Sequence, residues 1–199
     1  DYSVAIVEGY DTQYNPQKHL EGYKTQRGEV AALAMSLGTP QTQFILDDMD
    51  ADNMIAAPMS WYSGWSYKSS DRGLVIEFGS AYCADGMNAV DWALANYPVD
   101  IKTVGIMGYA GDYGGDYAAG VKAAAEANGL TVAWEYVVPS PEFDVAQAVG
   151  LMVTQPVDAY FPAVGPGHMA QVAGGAFQQG LTPAAMMAAP SYNDAFIAE

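Results

Sequence analysis

TVGIMGYAGDYGGDYAAGVKAAAEANGLTVAWEYVV, residues 103–138, predicts a strand, a helix and a second strand in succession. A short β-rich run, TVGIMG, leads through a Gly-rich loop into an Ala-rich segment that is long enough for a helix. Asn128-Gly129 suits the left-handed cap that ends such a helix, and the second β-rich run follows directly. Strands joined by a crossover helix lie parallel in one sheet, so this stretch predicts an α/β fold.

The same alternation continues on both sides of this unit. LVIEF (residues 74–78) predicts a buried strand, and CADGMNAVDWALANY predicts the helix after it. Beyond residue 138, SPEFDVAQAVGLMVTQ and GHMAQVAGGAFQQG predict helices, while VDAYFPA and AAMMAA predict strands. Repeated strand–helix units form a parallel sheet with helices on both faces.

The first part of the chain follows the pattern less regularly. SVAIVE predicts a strand, NPQKHLEGYKTQ a helix that begins at Asn15-Pro16, and EVAALAMSL an apolar run that ends before GTP. TQFILDDMDADNMIAAP predicts a helix-like segment followed by a strand. The polar stretch KSSDRG, between Tyr67 and Gly73, predicts a boundary between two lobes.

Composition and charge exclude several classes of partner. The 199 residues are 51% hydrophobic, which is typical of a globular chain. The net charge of -16 arises because only 7 Lys and Arg accompany 23 Asp and Glu. So few basic residues argue against nucleic acid or an anionic membrane surface as partner. The single cysteine excludes an internal disulfide, and no apolar run is long enough to predict membrane insertion by this segment.

Motifs for catalysis, cofactors and metals are missing from the sequence. Gly108–Gly114 has the spacing G-x-x-G-x-x-G, which is neither a phosphate-binding loop with its Lys-Ser/Thr nor a dinucleotide fingerprint. The acidic run DDMDADN lacks the Gly and Glu of a calcium loop and predicts a solvated turn. His19 and His168 have no carboxylate or Cys at ligand spacing, and His168 is expected to be a helix cap or a pocket wall. We therefore expect no enzyme, no cofactor and no metal site.

The loops after the predicted strands are rich in hydroxyls, glycine amides and aromatic rings. In parallel sheets, ligands bind at the carboxyl ends of the strands, where these loops lie. The loops in question are GSAY, YAGDYGGDY, VGPGH and PSYND, together with APMSWYSGWSY (residues 57–67). Their aromatic and polar side chains suit a small-molecule site. Trp65 and Tyr67 are expected to be structural, and Trp61 to face a ligand.

SLGTP (residues 36–40) resembles the first-lobe signature of type I periplasmic binding proteins, the branched-chain amino acid and amide/urea receptors of ABC importers. EGYDTQYNP, the loop with Tyr113-Gly114, and FDVAQAVGLMVTQPVDAYFPA are similar to further segments of that family. The resemblance implies two α/β lobes with the ligand clamped between them. It implies that this chain is an internal piece, with residues 1–72 in the first lobe and residues 73–199 forming most of the second.

The resemblance also implies ligand-binding positions in both lobes. Those of the first lobe are Ser36, Gly38, Thr39, Met59, Ser60 and Trp61. Those of the second lobe are Tyr82, Tyr113, Gly165 and Pro166. Gly165 and Pro166 fall where amino-acid receptors tend to carry an aromatic residue, and Asp194 is only a distant candidate for holding an α-ammonium group. The aromatic set suits a flat amide, a urea derivative or an aromatic acid, or a cationic amine if the rings form a cage.

The function implied by the resemblance is the solute-binding component of an ABC importer, which delivers a small solute to the membrane permease. Such a protein is periplasmic or extracellular, and a lipid anchor outside these 199 residues is left open. Two alternatives remain from the sequence. One is a ligand-sensing domain of the same fold in a regulator or receptor, and the other is a flavodoxin-like or nucleotide-using α/β enzyme.

Overall fold

The computed structural model describes residues 3–67 and 71–196. The chain forms two compact units, Asp1–Gly79 and Ser80–Glu199. Within the predicted boundary stretch KSSDRG, Lys68, Ser69 and Ser70 lie outside the described residues. The division into lobes at residue 72 therefore stays a prediction.

The first unit contains a small parallel sheet flanked by helices. Its elements are α1 (Pro16–Gln26), β1 (Leu33–Leu37), α2 (Thr39–Phe44), α3 (Leu46–Asp52) and β2 (Ala56–Met59). β1 and β2 pair in parallel, and Leu37 lies opposite Met59. α1 begins as predicted, because the Asn15 side chain accepts a hydrogen bond from the Lys18 N–H and Pro16 occupies the first turn. The core packs Tyr23, Ile45, Met49 and Trp65 together with their neighbours.

Three predictions for the first unit are wrong. Residues 3–8, SVAIVE, are exposed and form no strand. Leu74–Phe78, expected as a strand of the second lobe, forms only a bridge from Val75 to Ala56, beside β2 of the first unit. The acidic run is helix α3 instead of a turn, and its Asp48 and Asp52 pair with Arg27 at the end of α1.

The second unit is a four-stranded parallel sheet with the order β4-β3-β5-β6. Its elements are α4 (Tyr82–Asn96), β3 (Thr103–Tyr109), α5 (Gly114–Ala127), β4 (Thr131–Val138), α6 (Val145–Thr154), β5 (Ala159–Ala163), α7 (Pro166–Gln178) and β6 (Ala184–Ala185). The predicted α/β class with parallel strands and alternating helices is confirmed. The last strand, Ala184–Ala185, is shorter than expected, although the N–H groups of Met186 and Ala188 still donate to carbonyl oxygens of β5.

Helices cover both faces of this sheet. On one face, Met107, Trp134 and Tyr160 pack against buried residues of α6 and α7. On the other, α5 packs against β3, β4 and β5, and α4 packs against α5. Gly120 makes the last contact possible, because a Cβ at this position would overlap the carbonyl group of Cys83 in α4. None of the helices in the described ranges is long and apolar enough to cross a membrane.

Candidate functional site

In the first unit, two of the predicted hydroxyls meet at the carboxyl ends of the strands. The hydroxyls of Thr39, at the start of α2, and Ser60, after β2, are hydrogen-bonded to each other. The indole N–H of Trp65 donates a second hydrogen bond to Ser60 Oγ at 2.9 Å. Both hydroxyl residues are buried. Hydrogen bonds within the protein therefore hold the hydroxyls of Thr39 and Ser60 in place without a ligand.

Ser36 belongs to a separate buried network. Its Oγ lies 2.8 Å from Thr42 Oγ1 and 3.0 Å from His19 Nε2. Thr42 in turn donates to the Gly38 carbonyl oxygen at 3.0 Å. Burial lowers the pKa of His19, so the imidazole favours its neutral form. The sequence did not indicate His19 or Thr42 as partners of Ser36, since neither is adjacent to it in the chain.

Gly38 links the ends of the two strands of the first unit. Its N–H donates to the Met59 carbonyl oxygen at 3.3 Å, and its φ of 96° lies in the region that favours glycine. A Cβ at this position would lie 2.8 Å from the ring of Tyr14. Only glycine fits this turn without displacing its neighbours. The SLGTP segment thus brings Ser36 and Thr39 to the same edge of the sheet.

The aromatic loop after β2 divides into a core part and an accessible part. Trp65 is 3% exposed and packs in the core of the unit, as expected. Tyr67 is 65% exposed, so its expected structural role is wrong. Trp61 is half-buried, and its ring meets Phe78 edge-on at 5.3 Å between centroids. Trp61 is therefore the more accessible of the two tryptophans of this loop, and its contact with a ligand stays a prediction.

In the second unit, the loops that follow β3, β5 and β6 meet at Tyr113 and Ser191. The rings of Tyr113 and Tyr82 lie 4.8 Å apart. The Tyr113 hydroxyl is 3.0 Å from Ser191 Oγ, which also accepts from the Val164 N–H at 3.2 Å and donates to the Val164 carbonyl at 2.8 Å. Burial raises the pKa of Tyr113, so its hydroxyl stays protonated. Ser191 was not predicted, although its loop, PSYND, was.

Gly165 and Pro166 line an open depression at the end of β5. The depression has a volume of about 280 Å³ and is lined by Tyr109, Gly165, Pro166, Gly167, His168 and Gln171. His168 is a pocket wall, one of the two roles expected for it. No local pattern connects Tyr109 with this wall, because it lies 59 positions before His168 in the chain.

The acidic residue whose charge acts on Tyr113 is Asp85 and not Asp194. Asp85 lies in the first turn of α4, half-buried, and the Ala189 N–H donates to its carboxylate. Burial raises the pKa of Asp85, and its charge contributes to raising the pKa of Tyr113 and Tyr117. Asp194 is exposed. Within the described part of the chain, no group of three or more His, Cys, Asp or Glu residues could hold a metal ion.

A parallel sheet whose strand-end loops carry buried hydroxyls and tyrosines is the arrangement in which α/β proteins bind small ligands. Comparison with known proteins gives the family. The chain belongs to the periplasmic binding protein family, whose model matches residues 4–199. A search of curated protein sequences finds no significant match.

The solved structures similar to this chain are solute-binding proteins of type I. A fatty acid ABC transporter substrate-binding protein from Thermomonospora curvata is 27% identical, with a TM-score of 0.84 over 96% of this chain and 48% of that one. A branched-chain amino acid ABC transporter protein from Thermus thermophilus, solved with bound valine, is 14% identical, with a TM-score of 0.80 over 94% of this chain and 48% of that one. The chain thus spans about half the length of the structures it matches. Family and neighbours are binding proteins and not enzymes, which agrees with the sequence prediction.

Proposed function

We propose that this chain belongs to the solute-binding component of an ABC importer, acting outside the cytoplasm and delivering its solute to the membrane permease. The solute is a small polar or aromatic molecule: an amide, a urea derivative, an aromatic acid or an amino acid. Following the family resemblance, two lobes close over the solute, and the closed form is the one that the permease recognises.

The observation that carries this proposal is the Tyr82–Tyr113–Ser191 cluster at the carboxyl ends of β3 and β5. Two tilted rings supply apolar surface for a planar or apolar part of a solute, and neutral hydroxyls supply hydrogen bonds. The first unit offers the same combination in Thr39 and Ser60 beside Trp61. Both clusters are of the kind that binds small molecules rather than macromolecules.

The neighbours widen the range of solutes to test. The structure from Thermomonospora curvata, at 27% identity, is a fatty acid ABC transporter substrate-binding protein, so fatty acids join amides, urea, aromatic acids, amino acids and polyamines as candidates. Asp85 supports the inclusion of amines, because a half-buried carboxylate near the tyrosines could pair with an ammonium group. The same carboxylate disfavours a solute that places its own carboxylate beside Tyr113.

The test is a thermal-shift panel of these six solute classes on the longest available form of the protein. A solute at about 100 times its dissociation constant adds about 2.7 kcal/mol to the free energy of unfolding. For a protein of this size that raises the midpoint by roughly 5–10 °C. One class that shifts the midpoint supports the proposal, and no shift from any class contradicts it.

Tyr113→Phe is the matching site variant, and Tyr97→Phe, beyond the far end of α4, is its control. Loss of the Tyr113 hydroxyl is expected to weaken binding of the identified solute about two- to tenfold, the value of one net hydrogen bond. The control should bind as the unaltered protein does. Equal affinities of the unaltered protein, Tyr113→Phe and Tyr97→Phe would mean that the solute binds away from Tyr113. Uptake of the labelled solute by cells with and without the protein separates an importer component from a sensor of the same fold.

A further inference from the structure

A cavity of the second unit lies at the amino edge of its sheet, opposite the candidate solute site. It has a volume of about 290 Å³ and is formed where the segments that precede β3, β5 and β6 come together. Parallel strands bring their amino ends to one edge and their carboxyl ends to the other. β5 has five residues, so roughly 15 Å of strand separates this cavity from Tyr113 and Ser191. The residues that line the cavity include Val99, Met152, Asp158, Leu181, Thr182 and Ala184.

Backbone hydrogen bonds fix the walls of this cavity. The Asp158 N–H donates to the Thr103 carbonyl oxygen at 3.0 Å, and the Ala184 N–H donates to the Asp158 carbonyl oxygen at 3.2 Å. On another wall, the Leu181 N–H donates to a carbonyl oxygen in the last turn of α7 at 3.0 Å. Met152 and Ala184 are buried and supply apolar surface. The cavity is therefore preformed, and little ordering is needed when a ligand enters it.

The Asp158 carboxylate is held by one of its two oxygens. Oδ2 accepts hydrogen bonds from the Lys102 N–H at 2.9 Å, the Thr103 N–H at 2.8 Å and the Thr103 hydroxyl at 2.9 Å. These bonds lower the pKa of Asp158, so the carboxylate is ionised at neutral pH. Oδ1 accepts no hydrogen bond from the residues that the structure describes. The cavity thus contains an oriented anion with one oxygen available to a ligand.

The charge of Asp158 has no ion-pair partner among the described residues. The Lys102 ammonium pairs with Asp100 instead, at 2.7 Å. The chain as a whole has a net charge of -16, which attracts cations and repels anions. Val99, Met152 and Leu181 give the rest of the cavity an apolar character. A matching ligand therefore has a positive group at one end and an apolar body.

The volume of the cavity limits the size of that ligand. At the roughly 30 Å³ that a water molecule occupies in the liquid, it holds on the order of ten non-hydrogen atoms. We propose that the cavity is a second binding site, which takes a small organic amine whose ammonium group donates to Asp158 Oδ1 and whose apolar part lies against Met152 and Leu181. This site does not depend on the proposed function, because a ligand at the amino edge leaves the carboxyl edge accessible.

The test compares phenethylamine, which is protonated at neutral pH, with 2-phenylethanol, which has the same size and no charge. Each compound is titrated into the isotope-labelled protein, in its longest available form, while the amide resonances are followed by NMR. The resonances of Asp158 and Leu181 should shift, and those of Val164 and Ser191 should not. We expect the amine to bind about tenfold more tightly than the alcohol, the effect of one hydrogen bond between charged groups.

The outcomes separate this site from the proposed solute site. Equal affinities of the amine and the alcohol would overturn the amine as the ligand class. Shifts confined to Val164 and Ser191 would overturn the second site, because the amine then binds at the carboxyl edge. No shift at Asp158 and Leu181 with either compound would overturn the second site and leave the proposed function intact.

Variants distinguish binding in the cavity from the general attraction of a cation to an acidic chain. Val99 and Val153 are both exposed, and of the two only Val99 lines the cavity. Val99→Lys places a cation on the cavity wall and should remove the preference for the amine. Val153→Lys changes the net charge by the same amount and should keep the preference.

Asp158→Asn removes the charge itself, so the amine should lose its advantage over the alcohol. The exposed valines keep the test valid even if Asp158→Asn does not fold. A preference for the amine that survives in Val99→Lys and in a folded Asp158→Asn would refute the assignment of the site to this cavity.

Discussion

Ser191→Ala should destabilise the second unit and weaken the solute site at the same time. Ser191 is fully buried, and its hydroxyl connects three loops that are far apart in the sequence. It accepts from the Val164 N–H at 3.2 Å, donates to the Val164 carbonyl at 2.8 Å, and lies 3.0 Å from the Tyr113 hydroxyl. Alanine fills nearly the same volume, so the substitution removes the hydrogen bonds and leaves the packing almost unchanged.

The expected cost follows from the groups that lose their partner. The Val164 N–H is buried and loses the acceptor that the structure gives it, whereas the Tyr113 hydroxyl keeps the Val164 carbonyl at 3.4 Å. One buried unsatisfied group costs about 1–3 kcal/mol. We therefore expect a loss of about 2 kcal/mol in the free energy of unfolding, or roughly 4–8 °C in the unfolding midpoint.

Urea unfolding, followed by the fluorescence of the tryptophans, measures this loss, and amide hydrogen exchange at Val164 localises it. The midpoint should fall with an unchanged slope, and the Val164 amide should exchange faster. Ser140→Ala is the control, because Ser140 is exposed, and its effect should stay within about 0.5 kcal/mol. The double variant with Tyr113→Phe should be less destabilised than the sum of the single variants, since the two hydroxyls share one hydrogen bond. A Ser191→Ala midpoint equal to that of the unaltered protein, with the Val164 amide still protected, would refute the reasoning.

Two further predictions concern stability. Gly120→Ala should lower the free energy of unfolding by about 1–3 kcal/mol, because its Cβ would lie 2.7 Å from the carbonyl carbon of Cys83 and would force α4 and α5 apart. Gly150→Ala, whose Cβ meets nothing within 4 Å, should instead raise the free energy of unfolding by about 0.5–1 kcal/mol in the same urea assay. The pKa of His19 in the folded state is below its ordinary value of 6.5, so the stability that neutral His19 contributes is complete above that value and is lost as the pH falls below it. The urea midpoint of the unaltered protein should thus fall as the pH is lowered from about 8 to about 5.5, and that of His19→Gln should fall less. Identical pH profiles of the two proteins would contradict a titrating His19.

The elements of the second unit could be predicted because their signals are local. Gly129 adopts a positive φ of 68° at the end of α5, as the Asn-Gly pair indicated. The helix predicted over SPEFDVAQAVGLMVTQ is present but begins later than expected, at Val145, because Asp144 caps α6 through the N–H groups of Ala146 and Gln147. The strand predicted at Leu74–Phe78 was wrong because an apolar β-rich run specifies a strand tendency but not a partner.

The sequence identified the loops of the candidate site but not the contacts within them. Parallel strands bring their carboxyl ends to one edge, so the Tyr113 loop and the PSYND loop were predicted to be near each other. The bond between Tyr113 and Ser191 joins residues 78 positions apart, and no local pattern encodes it. The buried His19–Ser36 contact, over 17 positions, was missed for the same reason.

Both clusters carry neutral hydroxyls, in a chain whose net charge is -16. The ion pairs that Lys and Arg form within the described ranges go to Asp and Glu residues, as in Lys102–Asp100 and Lys122–Glu135, and none goes to a residue of the candidate site. In a chain with a net charge of -16, an unpaired anionic solute would be repelled at long range. Ser191 already donates its hydroxyl hydrogen to the Val164 carbonyl, and Tyr113 donates to Ser191, so toward a solute these two hydroxyls offer acceptor lone pairs without reorganisation. Among the proposed solute classes, we therefore expect the site to favour those that carry hydrogen-bond donors and no net negative charge.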